Sequence, residues 1–182
     1  GMRATTGAIS SIIFKNGKLQ AHVIGNVKAK GICGSGLIDA MAILLQQEKI
    51  GMFGEINSGE DKINLTNKVS ITQQDIREFQ LAKAAIAAGL QILLNQLNIS
   101  FTEIENVFIA GGFGNFLNIR HVIQTGLIET QEDKIVKLGN TALIGAKMFL
   151  FKDEQFIRDI LNKTTHLNLE ADLSFQDIYI EK

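Results

Sequence analysis

Val107-Phe108-Ile109-Ala110-Gly111-Gly112-Phe113-Gly114-Asn115 is the stretch on which the reading of this chain turns. An apolar run bounded by a turn signal suits a strand covered on both faces, and the glycines let the backbone turn sharply and approach a ligand. Ligands of open α/β sheets sit just past the carboxyl ends of strands. The same glycines also suit a plain tight turn, so on its own the stretch leaves both readings open.

Ahead of it, Thr102 and Glu105 pattern as a capped turn; behind it, 118–125 fits a short helix closed near Gly126, and 134–138 a short strand. Gly139-Asn140 then opens a small-residue helix over 141–151 with Ala142, Gly145 and Ala146 near one face. A further helix is expected around 154–162. The tail, 166–169 and 173–180, alternates weakly and fits strand, helix or both.

Upstream, alternation over 8–14 and 19–24, joined through Lys15-Asn16-Gly17-Lys18, predicts a β-hairpin turning on Asn-Gly. Gly31-Ile32-Cys33-Gly34-Ser35-Gly36 leads into a helix over 37–49 that begins at Ser35 or Gly36, with Leu37, Ile38, Met41, Leu44 and Leu45 along one face. Free N–H groups at such a start favour an anion; the glycines equally suit close packing of the helix end. A surface loop is expected over 51–62 and a strand over 69–71. Thr72, three residues ahead of Asp75, signals the start of the longest helix, running to about Leu97. Its apolar face reads Ile76, Phe79, Ala82, Ala85 or Ile86, Gly89 or Leu90, and Leu93 or Leu94, with small residues that let another element approach. Arg77, Gln80 and Lys83 follow one polar edge, ordinarily a solvated one.

A chain of 182 residues, 46% hydrophobic and 20% charged, suits one ordered domain, or one large domain with a small lobe. With a net charge of −1 and basic residues scattered along the sequence, nucleic acid and anionic lipid are disfavoured as partners. No apolar run is long enough for a transmembrane helix and no signal pattern opens the chain, so a cytoplasmic protein is expected. Cys33, the single cysteine, cannot form an internal disulfide or supply the thiolates of an iron–sulfur cluster, and reads as a small buried residue rather than a redox centre. His22, His121 and His166 have no zinc-site spacing, and no metal is expected on these residues alone.

Three ordered blocks carry a resemblance: Gly31-Ile32-Cys33-Gly34-Ser35-Gly36-Leu37-Ile38-Asp39-Ala40; Asp75-Ile76-Arg77-Glu78-Phe79-Gln80-Leu81-Ala82-Lys83-Ala84-Ala85-Ile86; and Ile109-Ala110-Gly111-Gly112-Phe113-Gly114-Asn115 with Gly126-Leu127-Ile128 and Gly139-Asn140. Together they resemble the C-terminal ATPase region of the reductive activators of corrinoid proteins, within the actin, sugar-kinase and heat-shock-ATPase superfamily. The resemblance covers essentially the whole chain and implies a ribonuclease-H-like, actin-like α/β lobe: a mixed β-sheet with packed helices, half of a two-lobed ATP clamp. On this reading 1–30 is the hairpin start, 31–106 a helical insertion or subdomain, and 107–182 the adenosine-motif subdomain and tail.

By the same resemblance Gly111, Gly112, Phe113, Gly114 and Asn115 correspond to the adenosine motif, and Gln80 and Lys83, with Arg77 less directly, reach the adenosine from the other side. Gly139-Asn140 and the Ala142, Gly145, Ala146 face correspond to a sliding helix at the hinge between lobes. The full-length family uses ATP or ADP with Mg²⁺, carries a [2Fe–2S] ferredoxin-like domain, and returns a Co(II) corrinoid protein to Co(I). Implied partners are that corrinoid protein, the N-terminal lobe and ferredoxin domain, and a second copy in a homodimer. This chain departs from the pattern: it has no Asp-Gly-Thr phosphate loop and no ferredoxin cysteines, and Glu129 stands where proline is expected after Gly-Leu-Ile. A C-terminal fragment cut just before Gly1 is therefore expected, with no catalytic residue, no cofactor held by this chain alone, and no ATP hydrolysis in isolation. Competing readings are a non-catalytic dimerisation or partner-docking module, and a lobe of another activator or kinase of the same superfamily.

Overall fold

Asn16 and Gly17 both adopt left-handed backbone conformations, with φ of 53° and 73°, as a two-residue hairpin turn requires if it is to match the twist of its strands. They join β1 (Ala8–Lys15) to β2 (Lys18–Val23) antiparallel, with Ile12 opposite Ala21. β3 (Gly31–Ile32) pairs in parallel with the start of β1, which gives a mixed sheet of order β2-β1-β3. The computed structural model describes residues 1–57 and 59–181, so residue 58 of the expected loop at 51–62 lies outside the described residues.

Helix α1 (Gly34–Gln46) starts slightly earlier than expected and stops short of Lys49. Its glycines serve close packing. A Cβ on Gly36 would run into the Ile9 carbonyl, and one on Gly34 would lie 2.6 Å from the Phe113 ring. Helix start and strand edge are thus in contact, and Ser35 Oγ completes the join by donating to the Ser10 carbonyl at 2.7 Å.

The buried carboxylate of Asp39, on α1, ties three elements together. One oxygen accepts from Ile12 N at 3.1 Å on β1; the other accepts from His121 Nδ1 at 2.6 Å. His121 belongs to α4 (Ile119–Gln124). Ile38, Leu117 and Val122 form a small apolar cluster at the same junction. The main core lies beneath it, where Ile9, Ile12, Met41, Leu44, Ile63, Ile71 and Ile76 pack together.

β4 (Lys62–Asn64) and β5 (Ser70–Thr72) form an antiparallel pair leading into α2 (Gln73–Leu97). Thr72 Oγ1 accepts from Asp75 N at 3.2 Å while Asp75 accepts from Thr72 N at 2.9 Å, a reciprocal cap at the expected place. The expected apolar face of α2 is only partly correct. Ile76, Ala84, Ala88, Gly89, Ile92 and Leu94 are buried, whereas Ala82, Ala85 and Ile86 face outward. The helix has two partners: its first turns cover the main core, and its later turns meet the C-terminal helix α7, below, and Leu169, which reaches Gly89.

A short 3-10 turn, Phe101–Glu103, is capped by Ser100 with Glu103, not by Thr102 with Glu105 as expected. The Thr102 hydroxyl is engaged with Ser100 Oγ at 2.7 Å. β6 (Val107–Ala110) and β7 (Ile135–Gly139) are parallel, with Phe108 opposite Val136. β6 is not covered on both faces: Val107 and Ile109 are half-buried but Phe108 is 59% exposed. Among the described residues that second face is left largely open.

The remaining helices are α3 (Gly112–Asn115), α5 (Thr141–Phe149), α6 (Glu154–Lys163) and α7 (Phe175–Glu181). The weakly alternating tail therefore ends in a helix, and α5 closes ahead of the expected Phe151. α5 and α6 bury no residue, and Leu143, Ile144, Met148 and Phe149 stand exposed on α5. Accessible surface totals 12221 Å² for 20.0 kDa, against about 8,700 Å² for an ordinary folded monomer of that mass.

Two stability predictions follow from these bonds. Asp39→Ala strips two buried donors of their acceptor and should cost about 3–5 kcal/mol, read from the urea midpoint, with Asp39→Asn costing distinctly less. Thr72→Ala should cost about 1 kcal/mol near neutral pH. Hydrogen bonding from Thr72 lowers the Asp75 pKa below 3.8, so the folded carboxylate is favoured over the unfolded one. Its contribution is complete above 3.8 and fades as pH falls through the lower folded value; the gap between the two proteins should narrow across that acid range, and a pH-independent gap would contradict the assignment.

Candidate functional site

The turn after β6 is held from beneath. Gly111 takes φ of 93°, which favours glycine, and its N–H donates to the Gly139 carbonyl at 2.7 Å, at the end of β7. Lys137, one strand away, donates through Nζ to Asn115 O at 3.3 Å and Leu117 O at 2.5 Å. A cation thus sits on the carbonyls that close α3, where the backbone charge is negative. Asn115 places its amide beside Gly139, and Gly114 packs on the Ile109 side chain.

Gly111 and Gly112 differ from the other glycines of this turn, because a Cβ on either would meet no atom within 4 Å. Their upper surface is open. Phe113, the next residue, lies against Gly34 yet remains 53% exposed. The arrangement offers bare peptide and an aromatic edge, suited to a flat partly apolar group.

Gln80 and Lys83 are half-buried and already engaged, whereas Arg77 is exposed. Gln80 Nε2 donates to Phe53 O at 3.1 Å, and Lys83 Nζ lies over Gly126. The loop that Gln80 holds is fixed again by Gln73, whose amide donates to Gly54 O at 2.6 Å and accepts from Ile56 N at 3.2 Å. Gln80 and Lys83 share with Met41, Ile76 and Thr125 a cavity of about 90 Å³, well below the several hundred that ligand pockets occupy, and 111–115 contributes nothing to its lining. The two groups of expected site residues are held by different neighbours. The Asp39–His121 bond and the Ile38, Leu117 and Val122 cluster, on which Phe79 of α2 also packs, seat α4 on α1 between them.

Asp39, Lys137 and Gln73 support this region without having been singled out from sequence. Asp39 lies in the first of the ordered sequence blocks, but its partner His121 is 82 residues away along the chain and nothing local signals it. Lys137 alternates within an ordinary strand.

The residues fit one part of a nucleotide. Open glycines and an aromatic edge suit a nucleoside, but no cluster of carboxylates or histidines able to hold a metal occurs among the described residues. Cys33 is buried beside Ser35, and one thiol does not fit a [2Fe–2S] cluster. Among the described residues no helix is long and apolar enough to cross a membrane.

The sequence model of the C-terminal domain of RACo, the ASKHA domain, matches residues 1–182. The corrinoid activation enzyme RamQ of Eubacterium limosum is 33% identical over 209 aligned positions, covering 99% of this chain and 35% of RamQ. The [Co(II) methylated amine-specific corrinoid protein] reductase of Methanosarcina barkeri is 27% identical, covering 84% of this chain and 29% of its own. A solved reductive activator for corrinoid, iron–sulfur protein superposes with a TM-score of 0.83 at 34% identity, covering 99% of this chain and 32% of that one. The chain spans about a third of the length of these relatives. A mixed α/β fold shared with a reductive activator, and a family match from first residue to last, make this chain a member of the RACo C-terminal family, the ASKHA domain of the reductive activators of corrinoid proteins.

Proposed function

We propose that this chain is the nucleoside-binding C-terminal lobe of an ATP-dependent activator that, in a longer protein, drives an electron from a [2Fe–2S] domain to a Co(II) corrinoid protein and restores Co(I). The observation that carries the reading is the open surface of Gly111 and Gly112, in a turn held by Lys137 and followed by the exposed Phe113, at the carboxyl end of a strand. The corrinoid protein as partner is carried over from the relatives, a corrinoid activation enzyme and a reductase of a corrinoid protein.

Phosphate and Mg²⁺ contacts belong, on this reading, to segments outside this sequence. The 182 residues are expected to bind nucleotide weakly and not to hydrolyse it. For Gln80 and Lys83 to touch adenosine, the loop around Phe53 must yield, since the cavity of about 90 Å³ admits no nucleoside. A second reading, a docking module that owes nothing to nucleotide, is favoured by the uncovered apolar residues of α5.

ATP titration followed by amide shifts separates the two. The nucleotide reading requires movement at 111–115; shifts confined to α5, or none, would sink it. Gly112→Val adds a side chain where the structure leaves open space; it should leave the thermal midpoint within about 2 °C of wild type while weakening nucleotide binding at least about tenfold, a loss of ~1.4 kcal/mol. Lys137→Met should also weaken binding, by freeing the carbonyls of Asn115 and Leu117, but with a loss of stability that Gly112→Val lacks.

A further inference from the structure

From Gly1 to Ile38 the sequence contains no carboxylate, and the first acidic residue is the buried Asp39. Basic residues look scattered in one dimension. Folding brings two lysines of this stretch, Lys18 and Lys28, to one groove with Lys49 and Lys68.

The groove runs between the β1–β2 hairpin and the β4–β5 connection. Lys18 and Lys49 line one part, of about 600 Å³, and Lys28 and Lys68 line the other, of about 540 Å³. Leu19 and Leu65 belong to both linings, so the two parts are continuous. Val23 and Ala29 extend the apolar floor, and Thr66 and Asn67 supply neutral hydrogen-bonding groups along the rim. Neither lining contains a carboxylate, and none of the four lysines has an ion pair among the described residues.

We propose that this groove docks an acidic, partly apolar segment of a partner protein. Four ammonium groups with no ion-pair partner among the described residues create a positive field over the groove, which attracts and orients a segment of opposite charge. The apolar floor gives alternate side chains of that segment a place to bury. Nucleic acid fits less well: the lining has no arginine for bidentate phosphate contacts and no aromatic ring for base stacking. A bilayer fits less well because the surface is concave and carries no aromatic residue for the interface. The inference is independent of nucleotide binding, since no groove residue belongs to 111–115 or the Gln80 cavity.

The probe is a fluorescein-labelled peptide of about ten residues alternating Glu and Leu, titrated with the 182-residue chain and followed by anisotropy. Binding is expected at about 20 mM salt and should weaken at least about tenfold by roughly 200 mM. Lys18→Glu with Lys68→Glu should weaken it at least tenfold, and Lys28→Gln with Lys68→Gln in the same direction by less. Lys147→Glu with Lys163→Glu makes the same change of net charge on α5 and α6 and should leave affinity unaltered. The proposal is overturned if the peptide fails to bind at low salt, or if the α5–α6 pair weakens binding as much as the groove pair. Tighter binding of duplex DNA or phosphatidylserine vesicles than of the peptide would also overturn it.

Discussion

The Asp39 carboxylate is the interaction on which the arrangement of the molecule depends. A buried anion is tolerated only when its oxygens are satisfied, and here one oxygen holds a strand amide and the other an imidazole. The apolar cluster at that junction is small, so packing alone specifies the seat of α4 weakly. A directional bond does so strongly. The same carboxylate reaches the main core through Ile12 N, so α4 is seated on α1 by a group anchored to the core strand.

Support of the open glycines follows the same logic. Lys137 uses its charge on backbone carbonyls rather than on a carboxylate, which fixes the turn without closing its upper surface. Gln73 and Gln80 do the opposite on α2, spending their amides on the carbonyls of the loop at Phe53 and Gly54. One half of the expected nucleoside surface is therefore presented and the other is covered by the chain itself.

Features governed by neighbours in sequence were legible. Asn16-Gly17 specified the hairpin, Thr72 with Asp75 specified the start of α2, and the ordered blocks specified the family and its mixed α/β fold. Features governed by tertiary partners were not. β6 looked like a doubly covered strand because apolar content reports what could be buried, not what is present to bury it. The stripe on α2 drifted because two partners divide the helix, and no single periodicity describes both. Ser100 displaced Thr102 as cap because several hydroxyls stood within reach of the same turn. The Asp39–His121 bond and the lysine groove join residues from separate elements, and neither periodicity nor local spacing signals such pairs.

The wide surface also has a thermodynamic signature. An unfolded chain of this mass exposes about 29,000 Å², so folding this one removes roughly 17,000 Å² where an ordinary monomer removes about 20,000 Å². Denaturant sensitivity and the heat-capacity increment both scale with that difference. The isolated chain should therefore melt over a broad interval, with a low m-value for its length, because fewer of its side chains lose water together.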